Sequence, residues 1–290
     1  MKTSQDVQAA KKEKRYPVIV IAALIFLAFI GLIFIFADLL APYDYREQDL
    51  LNRLQAPFFL GGDVKYLLGT DGLGRDILSR LLYATRFSVL VAVLGTTIGA
   101  IFGTLLGFMA AHFRGYVEEI IMGAVDVQAS LPFMLIALAV LAFFGNNFVL
   151  FILVMGIYGW EVFARLSRGM VVSANTDGYA VAVRSLGAES WRTYFVHVLP
   201  NIMNVLIVQF TLNFPQTILA ETSLSFLGLG IQPPLTSLGQ MLGAGRSHLL
   251  TAWWISVFPG SVIFLTTLSV SIVGDWLRDR MDPTLRGRKI

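Results

Sequence analysis

A chain of 290 residues that is 56% hydrophobic and 14% charged, with a mean hydropathy of +0.70, carries more apolar surface than one water-soluble core can bury. Its solvent is a bilayer, and the absence of cysteine excludes disulfides and thiolate metal sites. The net charge of +3 and pI near 9.2 arise from basic residues beside apolar runs, not from an aromatic-interleaved patch, which argues against nucleic acid and for membrane topology.

The first apolar run, 18–37, follows Lys11, Lys12, Lys14 and Arg15, an arrangement shared by signal peptides and first membrane helices. Its uncharged length exceeds the ~7–15 residues of a signal core, and no small-x-small cleavage site precedes the polar stretch 44–49, so a retained anchor is expected. A helix rising about 1.5 Å per residue needs about 20 apolar residues to cross the hydrocarbon. Runs of that size predict six membrane helices, at 17–39, 86–111, 118–144, 148–166, 196–220 and 252–276. Gly145, Asn146 and Asn147 separate the third and fourth, and their turn chemistry and polar side chains predict a hairpin at a membrane surface.

Lys and Arg accumulate in cytoplasmic loops. With both termini inside, the cytoplasmic set is Lys2, Lys11, Lys12, Lys14, Arg15, Arg114, Arg165, Arg168, Arg184, Arg192, Arg278, Arg280, Arg286, Arg288 and Lys289, most of the 22 basic residues. The external ones are Arg46, Arg53, Lys65, Arg75, Arg80, Arg86 and Arg246. In the first loop they are matched by Asp38, Asp44, Glu47, Asp49, Asp63, Asp71 and Asp76. The expected organisation is an all-α integral membrane protein with both termini cytoplasmic. It has a cytoplasmic segment 1–16, an anchor 17–39, an external loop 40–85, a core 86–280 and a cytoplasmic tail 281–290. Within the core, 167–195 is cytoplasmic, and 222–251, with Pro233 and Pro234, is external. No repeat of about 20–50 residues is evident.

In the second span Gly95, Gly99, Gly103 and Gly107 recur every four residues, so they share one helix face and let a neighbouring helix approach closely. Arg165, Arg168, Arg278 and Arg280 fall at cytoplasmic ends where they can snorkel, and Glu118 and Glu119 open a helix where negative charge is favoured. Asp126, Glu161 and Glu221 lie closer to span interiors or ends and are candidate pathway residues, since a charge in hydrocarbon is functional by default. Glu161 and Arg165 are spaced i, i+4 and can neutralise each other. His112, His197 and His248 are scattered without partners at ligand spacing, which predicts no metal site.

Three segments carry more specific information. The stretch 68–80, Leu-Gly-Thr-Asp-Gly-Leu-Gly-Arg-Asp-Ile-Leu-Ser-Arg, has glycines for tight turns, Asp71 to cap one, and Arg75 and Asp76 to pair with neighbours. No Gly-Lys-Ser/Thr follows it, and its glycines lack dinucleotide spacing, so it is not a phosphate cradle. The cytoplasmic stretch 177–192 is small and apolar at helical spacing and breaks at Gly187. It reads as two short helices, suited either to filling a groove on a partner protein or to lying as an ordinary interfacial loop. The third, 221–234, reads Glu-Thr-Ser-Leu-Ser-Phe-Leu-Gly-Leu-Gly-Ile-Gln-Pro-Pro.

The cytoplasmic stretch resembles the EAA loop of ABC importer permeases, the coupling helix seated in a cleft of the ATPase subunit. Val181, Ala182 and Val183 stand at the Glu-Ala-Ala positions, followed by Gly187, His197 and Leu199-Pro200. Val181 replaces the family's Glu, Val183 its second Ala and His197 its Ile. The segments 68–80 and 221–234, and the end of the chain from Gly274 to Pro283, are similar to a narrower group: the C-type permeases of dipeptide, oligopeptide, nickel and glutathione importers. Leu238 stands where that group has Trp.

The resemblance implies a type I ABC importer permease with a coupling helix at 173–192. Its ATPase-coupling residues would be Tyr179, Ala182, Arg184, Ser185, Gly187, Ala188, Trp191 and Pro200, and its external motif Gly69, Thr70, Asp71, Gly74, Arg75 and Asp76. It implies a bacterial inner-membrane location, a homologous second permease, two ATPases that bind ATP and Mg, and an external solute-binding protein. The solute would be a peptide, or a nickel chelate, glutathione or oligosaccharide. No cofactor and no catalytic residue are expected in this chain. An ion-coupled secondary transporter would show paired repeats with broken helices, and a membrane enzyme a reactive constellation. Neither is clear in the sequence.

Overall fold

The computed structural model describes residues 17–176 and 192–281, with Val183, Gly187 and Glu189 between them. Nine α-helices organise the described residues. They are α1 (Val18–Leu40), α2 (Ile77–Phe113), α3 (Gly115–Ser130), α4 (Phe133–Phe144), α5 (Phe148–Ile157), α6 (Trp160–Thr176), α7 (Leu199–Phe226), α8 (Leu238–Gly245) and α9 (Trp254–Met281). A single π-helical turn, Thr193–Val198, leads into α7. Five spans are long and apolar enough to cross a membrane, counting α5 with α6 as one, and the bent pair α3–α4 makes a sixth.

The sequence counts the spans well and reads their bounds and shapes poorly. The third span is two helices meeting at 93°. Pro132 disfavours helical backbone at the residue before it, and Leu131 accordingly adopts φ −100°, ψ 137°. The fourth breaks at Gly159, whose φ of +80° suits glycine, and continues past residue 166 to Thr176. The second begins at Ile77, inside the expected external loop, because Asp76 accepts the Ser79 amide at 2.7 Å and caps it there. The fifth runs on to Phe226, and the 222–251 loop contains α8.

The long helix α2 is the axis of the bundle, packing against α1, α3, α5, α6, α7 and α8. Its four regularly spaced glycines all face α5 and α6. A Cβ on Gly95 would lie 2.9 Å from the Met155 Cβ, and one on Gly103 would lie 2.9 Å from the Phe163 Cβ. Only bare backbone fits at that separation, which is how helices gain contact where lipid and side chains are equally apolar. The outer core gathers Ile77, Phe214, Ile218, Met241, Trp254 and Ile255 from α2, α7, α8 and α9. The inner core gathers Phe108, Phe163, Val171, Tyr194 and Val198. Helix α1 touches α2 and α9 and turns Ile19, Ile25, Phe29 and Leu32 outward as a lipid-facing surface.

The 145–147 turn is packed rather than free. Asn146 donates to the Gly230 carbonyl at 2.6 Å, and Asn147 caps α5 by accepting from the Leu150 amide at 2.8 Å.

Candidate functional site

The external stretch 69–80 folds into a tight knot at the outer end of α2. Gly69 (φ +79°) and Gly74 (φ +73°) bend the backbone so that Thr70 and Asp76 pair across a short antiparallel bridge. The enclosed Asp71 carboxylate accepts from the Leu73 amide at 2.8 Å, the Arg75 amide at 3.0 Å, the Arg75 Nε at 2.7 Å, and Arg80 Nη1. Burial works against its ionisation, but the Arg80 and Arg75 charges and the two amides win, holding the carboxyl below its usual range. Asp76 is pushed up by burial, which the Ser79 donors only partly offset.

The knot reaches well beyond its own loop. Thr70 Oγ1 accepts from the Gln55 amide at 2.9 Å, and Trp254 Nε1, at the start of α9, donates to the Thr70 carbonyl at 3.2 Å. Buried Arg80 also donates to Thr236 Oγ1 at 3.4 Å, and the Tyr43 amide to Ser79 Oγ at 3.1 Å. Sequence reasoning singled out Asp71 and Arg75 but missed Arg80, Trp254 and Thr236. Arg80 follows Asp76 by one helical turn and was visible in the motif. Its partner at 236 was not, because that contact spans 156 positions.

Asp49, in the same external region, accepts from Asn52 Nδ2 at 2.8 Å, Tyr66 OH at 3.0 Å and Lys65 Nζ at 3.4 Å. These donors lower its pKa from 3.8 to about 2. A depressed carboxyl pKa stabilises the fold above its unfolded value, and that stabilisation is lost as pH falls through the folded one. Hydrogen exchange across residues 41–76, taken relative to the intrinsic amide rate at each pH, is therefore expected to rise as pH drops from 3.8 toward about 2. In Asp49→Asn the rise should be smaller over the same window, and an identical profile would remove Asp49 as its cause.

The three acids of the span interiors do not form one site. Asp126 on α3 pairs with Arg165 on α6 at 2.9 Å. The expected Glu161–Arg165 neutralisation is only indirect: Arg165 makes its ion pair across to α3 and acts on Glu161 at longer range, while Glu161 keeps a buried Oε2 with no hydrogen-bond partner. A second ion pair, Glu118 with Arg168, joins the same two helices further in. Glu221 is fully buried and shares no partner with the other two. It accepts from Ser225 Oγ at 2.7 Å, and Ser88 and Ser237 hydroxyls stand beside it. The same two hydroxyls accept the Leu238 and Gln240 amides, each at 3.1 Å, so Glu221 lies where α2, α7 and α8 meet.

Of the cytoplasmic set, Tyr179, Ala182, Arg184, Ser185, Ala188 and Trp191 lie outside the described residues. Gly187 is exposed with φ +83°, a left-handed turn, and Pro200 is exposed in the first turn of α7. The flanks of the segment are anchored. Downstream, Tyr194 in the π turn is buried against Phe108 and contacts His112 Nδ1 at 3.2 Å, tying the segment to the inner end of α2. Upstream, α6 lies along the glycine face of α2.

Comparison with known proteins bears on all of these regions. The profile described as binding-protein-dependent transport system inner membrane component matches residues 103–287, and that of the N-terminal TM domain of oligopeptide transport permease C matches residues 19–57. The chain is 39% identical to the di/tripeptide transport system permease protein DppC of Pseudomonas aeruginosa, over 92% of this chain and 88% of that protein. It is 38% identical to the glutathione transport system permease protein GsiD of Pectobacterium atrosepticum, over 94% and 89%. Among solved structures, a crystal structure of an amino acid ABC transporter with histidines shares the fold, with a TM-score of 0.51 at 16% identity over 70% of this chain and 93% of that one.

Proposed function

The chain belongs to the binding-protein-dependent transport system inner membrane components, as a multi-pass, non-catalytic permease subunit of an ABC importer, and from that premise we propose that its cargo is di- and tripeptides. Similarity running almost end to end with permeases named for di/tripeptide and dipeptide transport carries this reading. The likeness to glutathione permeases is compatible with it, because glutathione is itself a small peptide.

In this reading a homologous permease completes the pathway, two ATPases hold ATP and Mg on the cytoplasmic side, and an external binding protein delivers the solute. The cytoplasmic segment 173–192 is the coupling element, with Gly187 as its turn. ATPase closure pushes this element. Its anchored flanks, α6 upstream and the π turn and α7 downstream, pass the displacement to α2, and the equilibrium shifts between inward- and outward-open states. The tie between Tyr194 and His112 supports such a route. The external knot 69–76 would face the binding protein. Residues 1–16, 17–39 and 281–290 serve as cytoplasmic lead, anchor and tail, and 40–85 as an external cap whose last residues, from Ile77, already belong to the first turns of α2, around the core 86–280.

The test is reconstitution of the whole importer in vesicles with labelled dialanine on the binding-protein side. ATP-dependent accumulation is expected. A complex that accumulates glutathione but not dialanine would narrow the cargo to that tripeptide and overturn the dipeptide assignment.

A further inference from the structure

Helix α7 differs from the lipid-facing helices in what it exposes. α1 turns Ile19, Ile25, Phe29 and Leu32 outward, and α9 turns Val257, Phe264, Leu265 and Leu268 outward. α7 exposes Met203, Val205 and Ile207 in its inner half, and beside them Asn201 and Asn204; in its outer half Gln216, Leu219 and Ser223 share one face at three- and four-residue steps. Uncharged amides are costly in hydrocarbon without hydrogen-bond partners, so this face is not turned to lipid.

The outer part of that face opens on a recess of about 410 Å³, lined by Pro132, Phe133, Tyr158, Gln216, Leu219 and Ser223 among others. Both broken spans break beside it, one at Leu131–Pro132 and the other at Tyr158–Gly159. Gln216 precedes the outer end of α7 by ten residues, about 15 Å at ~1.5 Å per residue. Pro132 lies one 12-residue helix, about 18 Å, below the 145–147 turn. The breaks and the Gln216 end of the recess thus lie within the lengths of the spans and not at their ends. Non-helical backbone is tolerated at that depth only inside protein or beside a water-filled cavity.

We propose that this recess is where the subunit hydrogen-bonds the backbone of a peptide in transit, with Gln216, Ser223 and Tyr158 as the contacts. The Gln216 amide offers one acceptor and two donors, matching the carbonyl and N–H of a peptide bond; Ser223, whose hydroxyl donates to the Leu219 carbonyl at 2.7 Å, adds an acceptor, and the Tyr158 hydroxyl serves as either. No charged side chain lines the recess, so it engages the amides common to all peptides rather than particular side chains. The inference rests on the reading of the chain as a peptide importer subunit.

The experiment uses the complete reconstituted importer and reads dialanine molecules accumulated per ATP hydrolysed. In Gln216→Leu this ratio is expected to fall about tenfold, the scale of one lost hydrogen bond. Gln216→Asn should recover part of the loss, and Gln216→Leu with Ser223→Ala should fall further. An unchanged ratio overturns the proposal. So does a loss of complex assembly in Gln216→Leu with a normal ratio in the complexes that do form, which would assign the face to permease–permease contact. A wild-type complex that accumulates no peptide would instead sink the functional reading beneath it.

Discussion

Replacing Gly187 with leucine is expected to abolish ATP-driven uptake while the external binding protein keeps its affinity for solute. Gly187 has φ +83°, where an L side chain costs roughly 1 kcal/mol or more, so leucine drives the turn toward another backbone. Among the described residues nothing lies within 4 Å of where its Cβ would point. If an ATPase covers that turn in the assembled importer, leucine both unwinds it and intrudes on the contact. Gly187→Asn, which tolerates the left-handed region, should retain much more transport than Gly187→Leu. Uptake into vesicles, compared at equal amounts of assembled complex, checks both. Wild-type rates in Gly187→Leu would remove the coupling role from this segment.

Arg80→Ala is expected to destabilise the importer by about 3 kcal/mol, the low end for breaking a buried ion pair, because Arg75 still faces the Asp71 carboxylate. The loss has three parts: a buried charge stripped of its fully enclosed partner, a Thr236 hydroxyl left without that donor, and a void at the outer end of α2. Arg80→Lys cannot reproduce the planar fork and should recover only part. In the double variant Arg80→Met with Asp71→Asn, both charges vanish together, so the cost should fall well below the sum of the two single changes. Thermal unfolding of the detergent-solubilised complex measures each. Additive single effects would mean that the pair is not energetically coupled.

The contrast between these two sites shows what the sequence could carry. Gly187 was legible because a break in helical periodicity is local, and glycine marks it. The same holds for the α2 glycines, whose four-residue spacing specifies a shared face whatever packs on it. The number of spans was legible too, since an apolar run is a property of a window, although several of them extend beyond the expected bounds. Direction is not. The net apolar character of 118–144, long enough for one span, concealed a 93° bend that one proline imposes by restricting the backbone before it. Pairings across the fold were the other loss. Arg165 has an acid one turn away in sequence, yet its ion pair is made to Asp126 on a different helix. The enclosure of Glu221 was not legible either, because the Ser88 and Ser237 hydroxyls beside it come from distant parts of the chain.

Tyr43, Gln55, α2, Thr236 and the start of α9 are all fastened to the same few residues around Asp71 and Arg80. Struts that share one rivet cannot slide past each other. A displacement arriving from the other end of the bundle must therefore swing this end of the molecule as a single block.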